Sequence, residues 1–260
     1  MRPYHRRNAV IPFRIRTSKS NLKNALLVLA ILSSGCAYAV KPTPYRSVSS
    51  LLDAMQKNSR PLTSMKALAS VSVRLDGRGA EFPEGIIMSG TAIRLETLNL
   101  FYQPVLIIVY NGAVAVLDTG TGACGISSAT LLQHYTHIDV SPKIFESLIT
   151  ARLIAKPQKI VSTSRGSMLQ GTIDKRSWSS EVDDDLALKA TTVGSAHGDG
   201  VTCTYREYTM IDGVRLPMRV TCTWGKNRLA THYRQAGINV PVDPSLMDTD
   251  NLCGYDNVDN

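Results

Sequence analysis

The sequence predicts an α+β protein built on one long antiparallel sheet with short helices on one face. Three observations lead there. Apolar residues recur at every second position over long stretches, as in Ala67, Ala69, Val71, Val73 and Leu75. That period belongs to strands with one face turned away from water. Two-residue turn signals, Asn111-Gly112 and Asp212-Gly213, stand between strand-like runs. The order of elements is a helix, about four strands, a helical excursion and about five more strands, which suits a single antiparallel sheet.

The chain opens on a basic leader. Residues 1–35 hold Arg2, Arg6, Arg7, Arg14, Arg16, Lys19 and Lys23 and no acidic residue. An apolar run from Ala25 to Leu32 and a small-residue exit follow, the three-part pattern of an export signal. The run is too short to span a bilayer as a permanent helix. The leader also accounts for the formal net charge of +8; without its seven basic residues, 22 basic side chains face 21 acidic ones. No basic field for nucleic acid is expected from that balance.

Two exits from the leader are open. Leu32-Ser33-Ser34-Gly35-Cys36 resembles a lipobox, which makes Cys36 a lipid-attachment site on an outer-membrane lipoprotein facing the periplasm. Ala37-Tyr38-Ala39 fits an A-x-A cleavage site, which instead releases a soluble periplasmic chain from Val40. Residues 36–46, with Pro42 and Pro44, read as a tether.

The elements then follow in order. Val48, Leu51, Leu52 and Met55 share a helical face, and that helix should end near Asn58, before Pro61. After the strand at 67–75, a second long run carries Ile87, Ser89, Thr91, Ile93 and Leu95 at alternate sites. VLIIVY and AVAVLDT flank Asn111-Gly112 as a hairpin. A helical interlude is expected in ISSATLLQHY, from Ile126 on. Ser141-Pro142 then opens KIFESLITARL, with Ser at the N-cap and Pro in the first turn. Strands return in KIVST, SMLQGTID, DLALKATTV, the Cys203–Cys222 segment and RLATHYRQ. Residues 246–260 read as an irregular tail.

An exported chain permits disulfides. Beside Cys36, the cysteines are Cys124, Cys203, Cys222 and Cys253. Counting outward from Asp212-Gly213 places Cys203 opposite Cys222 and Tyr208 opposite Pro217. Pro217 then falls at a non-hydrogen-bonded site, where a missing N–H does no harm. A bridge and a pair of buried thiols both fit the cysteines in that register. Cys124 and Cys253 have no assigned partner.

The motifs argue against catalysis. Ala113-Val114-Ala115-Val116-Leu117-Asp118-Thr119-Gly120 has the local look of an aspartic protease strand and turn. Such a site needs two aspartates sharing a proton, and no supporting apolar-apolar-Gly segment follows. Asp118 reads instead as a strand end, with the protease kept as the enzyme alternative. His134, His137 and Asp139 lack a partner motif for a metal. Glu181 and Asp183 to Asp185 lack calcium-loop spacing and read as a solvated loop. No nucleophile elbow is present, and no cofactor is expected.

The segment NGAVAVLDTGTGACGISSATLLQHYTHIDVSPKIFESLITARL resembles the middle of the LolA/LolB-type lipoprotein carriers and receptors. It has the hairpin, the glycine loop and two helices parted by His137-Ile138-Asp139-Val140-Ser141-Pro142. The shared order of elements covers residues 47–245. The resemblance implies a curved half-barrel of about 9–11 antiparallel strands, with short helices covering its concave face. It implies an apolar cavity for the acyl chains of a lipid or lipoprotein, and no enzymatic activity. Moving each CH₂ out of water is worth about 0.8 kcal/mol, so such chains need cover in an aqueous space. Expected lining residues are Val71, Val73, Ile93, Leu95, Ile107 and Val109, with Leu148 and Ile149 from the helical cover. Leu100 and Phe101 are candidates for an exposed apolar delivery loop. The alternative is a non-catalytic accessory lipoprotein of an envelope or secretion complex, with envelope proteins as partners.

Overall fold

The computed structural model describes residues 45, 47–127, 140–163, 166–194 and 200–254. The export signal, Cys36, His134, His137, Asp139 and the expected helix beyond Ser127 lie outside the described residues.

Helix α1 (Val48–Asn58) starts in a reciprocal cap. The Ser50 N–H donates to the Ser47 hydroxyl, and the Ser47 N–H donates to the Ser50 hydroxyl. Leu51 is its buried anchor. Six strands follow: β1 (Ser64–Leu75), β2 (Arg78–Ser89), β3 (Ala92–Leu98), β4 (Pro104–Asn111), β5 (Ala113–Asp118) and β6 (Cys124–Ser127). Helix α2 (Pro142–Ile149) separates them from β7 (Lys159–Thr163), β8 (Gly166–Ile173), β9 (Arg176–Val182) and β10 (Leu188–Val193). The last three are β11 (Val201–Ile211), β12 (Val214–Trp224) and β13 (Asn227–Ile238).

The thirteen strands of the described residues form one antiparallel sheet in the order β6-β5-β4-β3-β2-β1-β13-β12-β11-β10-β9-β8-β7. Two up-and-down runs therefore meet where β1 pairs with β13. Among the described residues the sheet stays open, with β6 and β7 as its edges. Helix α2 has seven of its eight residues buried, with Lys143 the one outside. A helix buried nearly all round needs a wall that wraps it, so the sheet curves about α2 as a half-barrel. The α+β half-barrel expected from the sequence is the fold observed.

The register is where turn chemistry places it. Asp76-Gly77 and Asp212-Gly213 both have positive φ at both positions, the mark of the hairpin turn that matches strand twist. Around Asp212-Gly213, Cys203 faces Cys222 and Tyr208 faces Pro217. Cys203 and Cys222 are joined as a disulfide.

Four expectations are corrected. The run 87–95 is not one strand: it turns at Gly90 (φ +61°), and Ser89 pairs with Ala92. At Asn111-Gly112 the pairing is Asn111 with Ala113, so Gly112 alone forms the tip. That register sets Val114 and Val116 opposite Tyr110 and Ile108, where both valines are buried. Ile126 lies in strand β6, not in a helix. The tail is ordered in part: a 3-10 turn (Pro244–Met247) and helix α3 (Thr249–Gly254) follow β13. Cys253 in α3 is bonded to Cys124 in β6.

Candidate functional site

Strand parity decides which side chains meet α2. Across the sheet, Val71 faces Phe82, Ile86 faces Leu95 and Leu95 faces Ile108. These side chains and Val73, Leu229 and Thr231 form one concave wall, and Phe145 and Ile149 of α2 form the other. Between them lies a cavity of about 150 Å³. That is the size of an apolar hole that admits one benzene-sized guest. The remainder of the concavity is filled by α2 itself, through Ile144, Phe145, Leu148 and Ile149.

Each expected lining residue can now be placed. Val71, Val73, Leu95 and Ile149 border the cavity. Ile93 is on the concave face, buried opposite Met88 and Tyr110 but beyond the cavity. Leu148 is buried in the surrounding core. Ile107 and Val109 are corrected: the cavity residues of β4 are Leu106 and Ile108, so by alternation these two point to the convex face. They are buried there, Val109 fully. The 3-10 turn packs on β3 and β4, and α3 packs on β4, β5 and β6. The Arg94 guanidinium donates to the Leu246 carbonyl, 3.1 Å away, and fixes this cover to β3.

Helix α2 is held differently. Ser141 sits in extended N-cap geometry without a side-chain cap bond. At the other end the buried Tyr233 hydroxyl donates to the Ile149 carbonyl at 2.8 Å, meeting one of the orphan acceptors of a helix C-terminus. Burial pushes the Tyr233 phenol well above its usual range, so it stays a donor. Glu146, also buried, pairs with Arg152 at 2.6 Å. Burial raises its carboxyl and the Arg152 charge partly reverses that.

Of the described cavity residues that the sequence did not single out, one is ionisable. Glu84 in β2 lies opposite Thr97 of β3 and Ala69 of β1. It is only 7% exposed. Burial pushes its carboxyl up from 4.5 to about 7; a hydrogen bond from Thr97 lowers it and the charge of Glu96 raises it. Among the described residues, its Oε2 has no hydrogen-bond partner. A lone Glu in AEFPEG carries no signal of burial; only the register with Ala69 and Thr97 turns it inward.

Asp118 ends β5 and caps its own turn. Its Oδ1 accepts the N–H groups of Gly120 at 2.9 Å and Thr121 at 3.2 Å, the side-chain turn typical of Asp. At the β3–β4 connection Leu100, Phe101 and Tyr102 are exposed to 89%, 83% and 63%. A wider hollow of about 310 Å³ lies at the far end of α2, but Arg60, Arg152 and Arg215 line it among its apolar residues.

The fold and the cavity define a class of protein: an open antiparallel half-barrel wrapped round a short helix. No family model and no curated protein matches the chain by sequence. Solved structures do match. A LolA superfamily protein from Nitrosomonas europaea superposes with a TM-score of 0.55 at 12% identity, over 78% of this chain and 99% of that one. A DUF1329 family protein from Desulfovibrio piger gives 0.58 at 9% identity, over 81% and 99%. A domain from Vibrio parahaemolyticus described as an outer membrane lipoprotein-sorting protein gives 0.58 at 7% identity, over 80% and 100%. The chain thus has the LolA/LolB-like fold.

Proposed function

We propose that this protein is a non-catalytic envelope protein that holds acyl chains of lipids or lipoproteins between α2 and the concave face of its sheet. The observation that carries this reading is the apolar cavity of about 150 Å³ beside Phe145 and Ile149. The cavity as it stands takes only part of an acyl chain. A longer chain enters by displacing α2 side chains, and apolar-for-apolar exchange of that kind conserves burial. No catalytic group is needed for binding of this type.

The same reading gives the ends of the molecule their roles. Residues 1–35 act as an export signal, and Cys36 carries the lipid that holds the protein on the outer membrane, facing the periplasm. The exposed Leu100-Phe101-Tyr102 knuckle supplies an apolar contact to a membrane or a lipidated partner. A Cys36→Ala variant that still fractionates with membranes would remove the anchor from this account.

The decisive experiment is native mass spectrometry with lipid extraction of the purified chain. Co-purifying acyl lipid is the expected result. A protein that emerges empty and takes up no lipid supports the second reading, an accessory scaffold. That reading is favoured by how much of the concavity α2 already fills.

A further inference from the structure

We propose that Glu84 is the polar anchor of the cavity: its uncharged carboxylic acid donates a hydrogen bond to the carbonyl oxygen of an ester-linked acyl group. The inference rests on the lipid-binding reading and adds to it a ligand chemistry and an orientation. The acyl group enters with its carbonyl inside, beside β2 and β3, and not with its methyl end leading.

A buried polar group without a partner is costly, and Oε2 of Glu84 is one. The Thr97 hydroxyl serves the carboxyl from β3. Glu84 itself lines the cavity, so its carboxyl stands where a guest lies. An acid held uncharged in an apolar site is a hydrogen-bond donor, and a carbonyl oxygen is the acceptor that brings no charge with it.

The surroundings favour the neutral form. Facing Glu84 are Ala69 from β1, Leu106 from β4, Leu229 and Thr231 from β13, and Phe145 and Ile149 from α2. Among the described residues, no other cavity residue ionises. On α2, Lys143 is exposed and Glu146 is paired with Arg152. Glu96 acts from the convex side of β3, where Arg94 holds it at 2.6 Å. A cationic ligand would need the carboxylate that this apolar site disfavours, so an acyl carbonyl is the better match.

The test compares methyl dodecanoate with pentadecane, matched in heavy atoms, by displacement of an apolar fluorescent dye from the full chain. The wild type should bind the ester more tightly at pH 6 than at pH 8.5, losing about tenfold per pH unit above 7. Pentadecane should show a flatter profile. Glu84→Gln, which keeps a donor, should bind the ester without that pH dependence. Glu84→Leu should lose the ester preference and keep pentadecane. Circular dichroism checks that both variants fold. If either does not, infrared spectra of the wild type with carbonyl-labelled ester still decide, since the carbonyl stretch should fall in frequency at pH 6 and return at pH 8.5. Binding of both probes with equal pH profiles and no carbonyl shift overturns the role of Glu84 and leaves lipid binding standing. Binding of neither probe overturns the lipid-binding reading itself.

Discussion

The two faces of strand β4 are covered in opposite ways. Leu106 and Ile108 meet the cavity and α2, while Ile107 and Val109 lie under the C-terminal 3-10 turn and α3. The convex cover is fastened: a disulfide closes it across 129 residues, and Arg94 ties it to β3. Among the described residues, the concave cover is held by side-chain packing and by one hydrogen bond from Tyr233. Covalent closure removes freedom from the unfolded chain and keeps a cover shut, whereas packing can be exchanged for other apolar atoms. The fastened face is therefore scaffold, and the unfastened one is where the proposed acyl guest would enter.

The largest effect should come from undoing the fastening. Cys124→Ser with Cys253→Ser should lower stability by about 5 kcal/mol, as expected for closing a loop of that length. The same exchange at Cys203 and Cys222, separated by 19 residues, should cost less, about 3 kcal/mol. Urea unfolding of both double variants measures the gap, and equal losses would mean that the convex cover does not depend on its clamp.

Next comes the pH response of the concave side. Glu84 is raised from 4.5 to about 7 in the folded state, so the folded protein holds a proton that the unfolded chain has released. Stability from this group is full below pH 4.5, falls as pH rises, and is lost above 7. The total is about 3 kcal/mol at 1.36 kcal/mol per pH unit. Glu84→Gln should remove that slope in unfolding measurements from pH 4.5 to 7.5.

The smallest effect separates holding from filling. Tyr233→Phe removes the bond to the Ile149 carbonyl and should cost about 1 kcal/mol. Amide exchange at the last turn of α2 should quicken, while exchange in α3 stays unchanged. Equal acceleration in both helices would erase the contrast between the two covers.

Much of this fold could be read from the chain because local chemistry and register agreed. Asp212-Gly213 set the β11–β12 pairing down to Cys203 opposite Cys222, and the structure adds the bridge between them. What escaped has identifiable causes. Alternation passes without a break through Gly90-Thr91, so β2 and β3 looked like one strand. Strand β9 presents the fully buried Ser180, and its hydroxyl meets that of Thr191 at 2.9 Å. A satisfied polar pair in a core leaves no apolar period to see. VLIIVY is apolar at every position because both faces are covered, and such a run carries no phase. That is why Ile107 and Val109 were assigned to the wrong face. The tail has no period at all; its position follows from a disulfide that no spacing could reveal.

The distance between the two cysteines of the clamp also sets an order of events. A chain emerging from its N-terminal side presents Ile107 and Val109 long before Cys253 arrives to cover them. During that interval β4 has one greasy side bare and β1 still waits for β13. Maturation of this protein should then be sensitive to whatever shields nascent sheets and oxidises thiols, and a stalled intermediate would expose its convex side first.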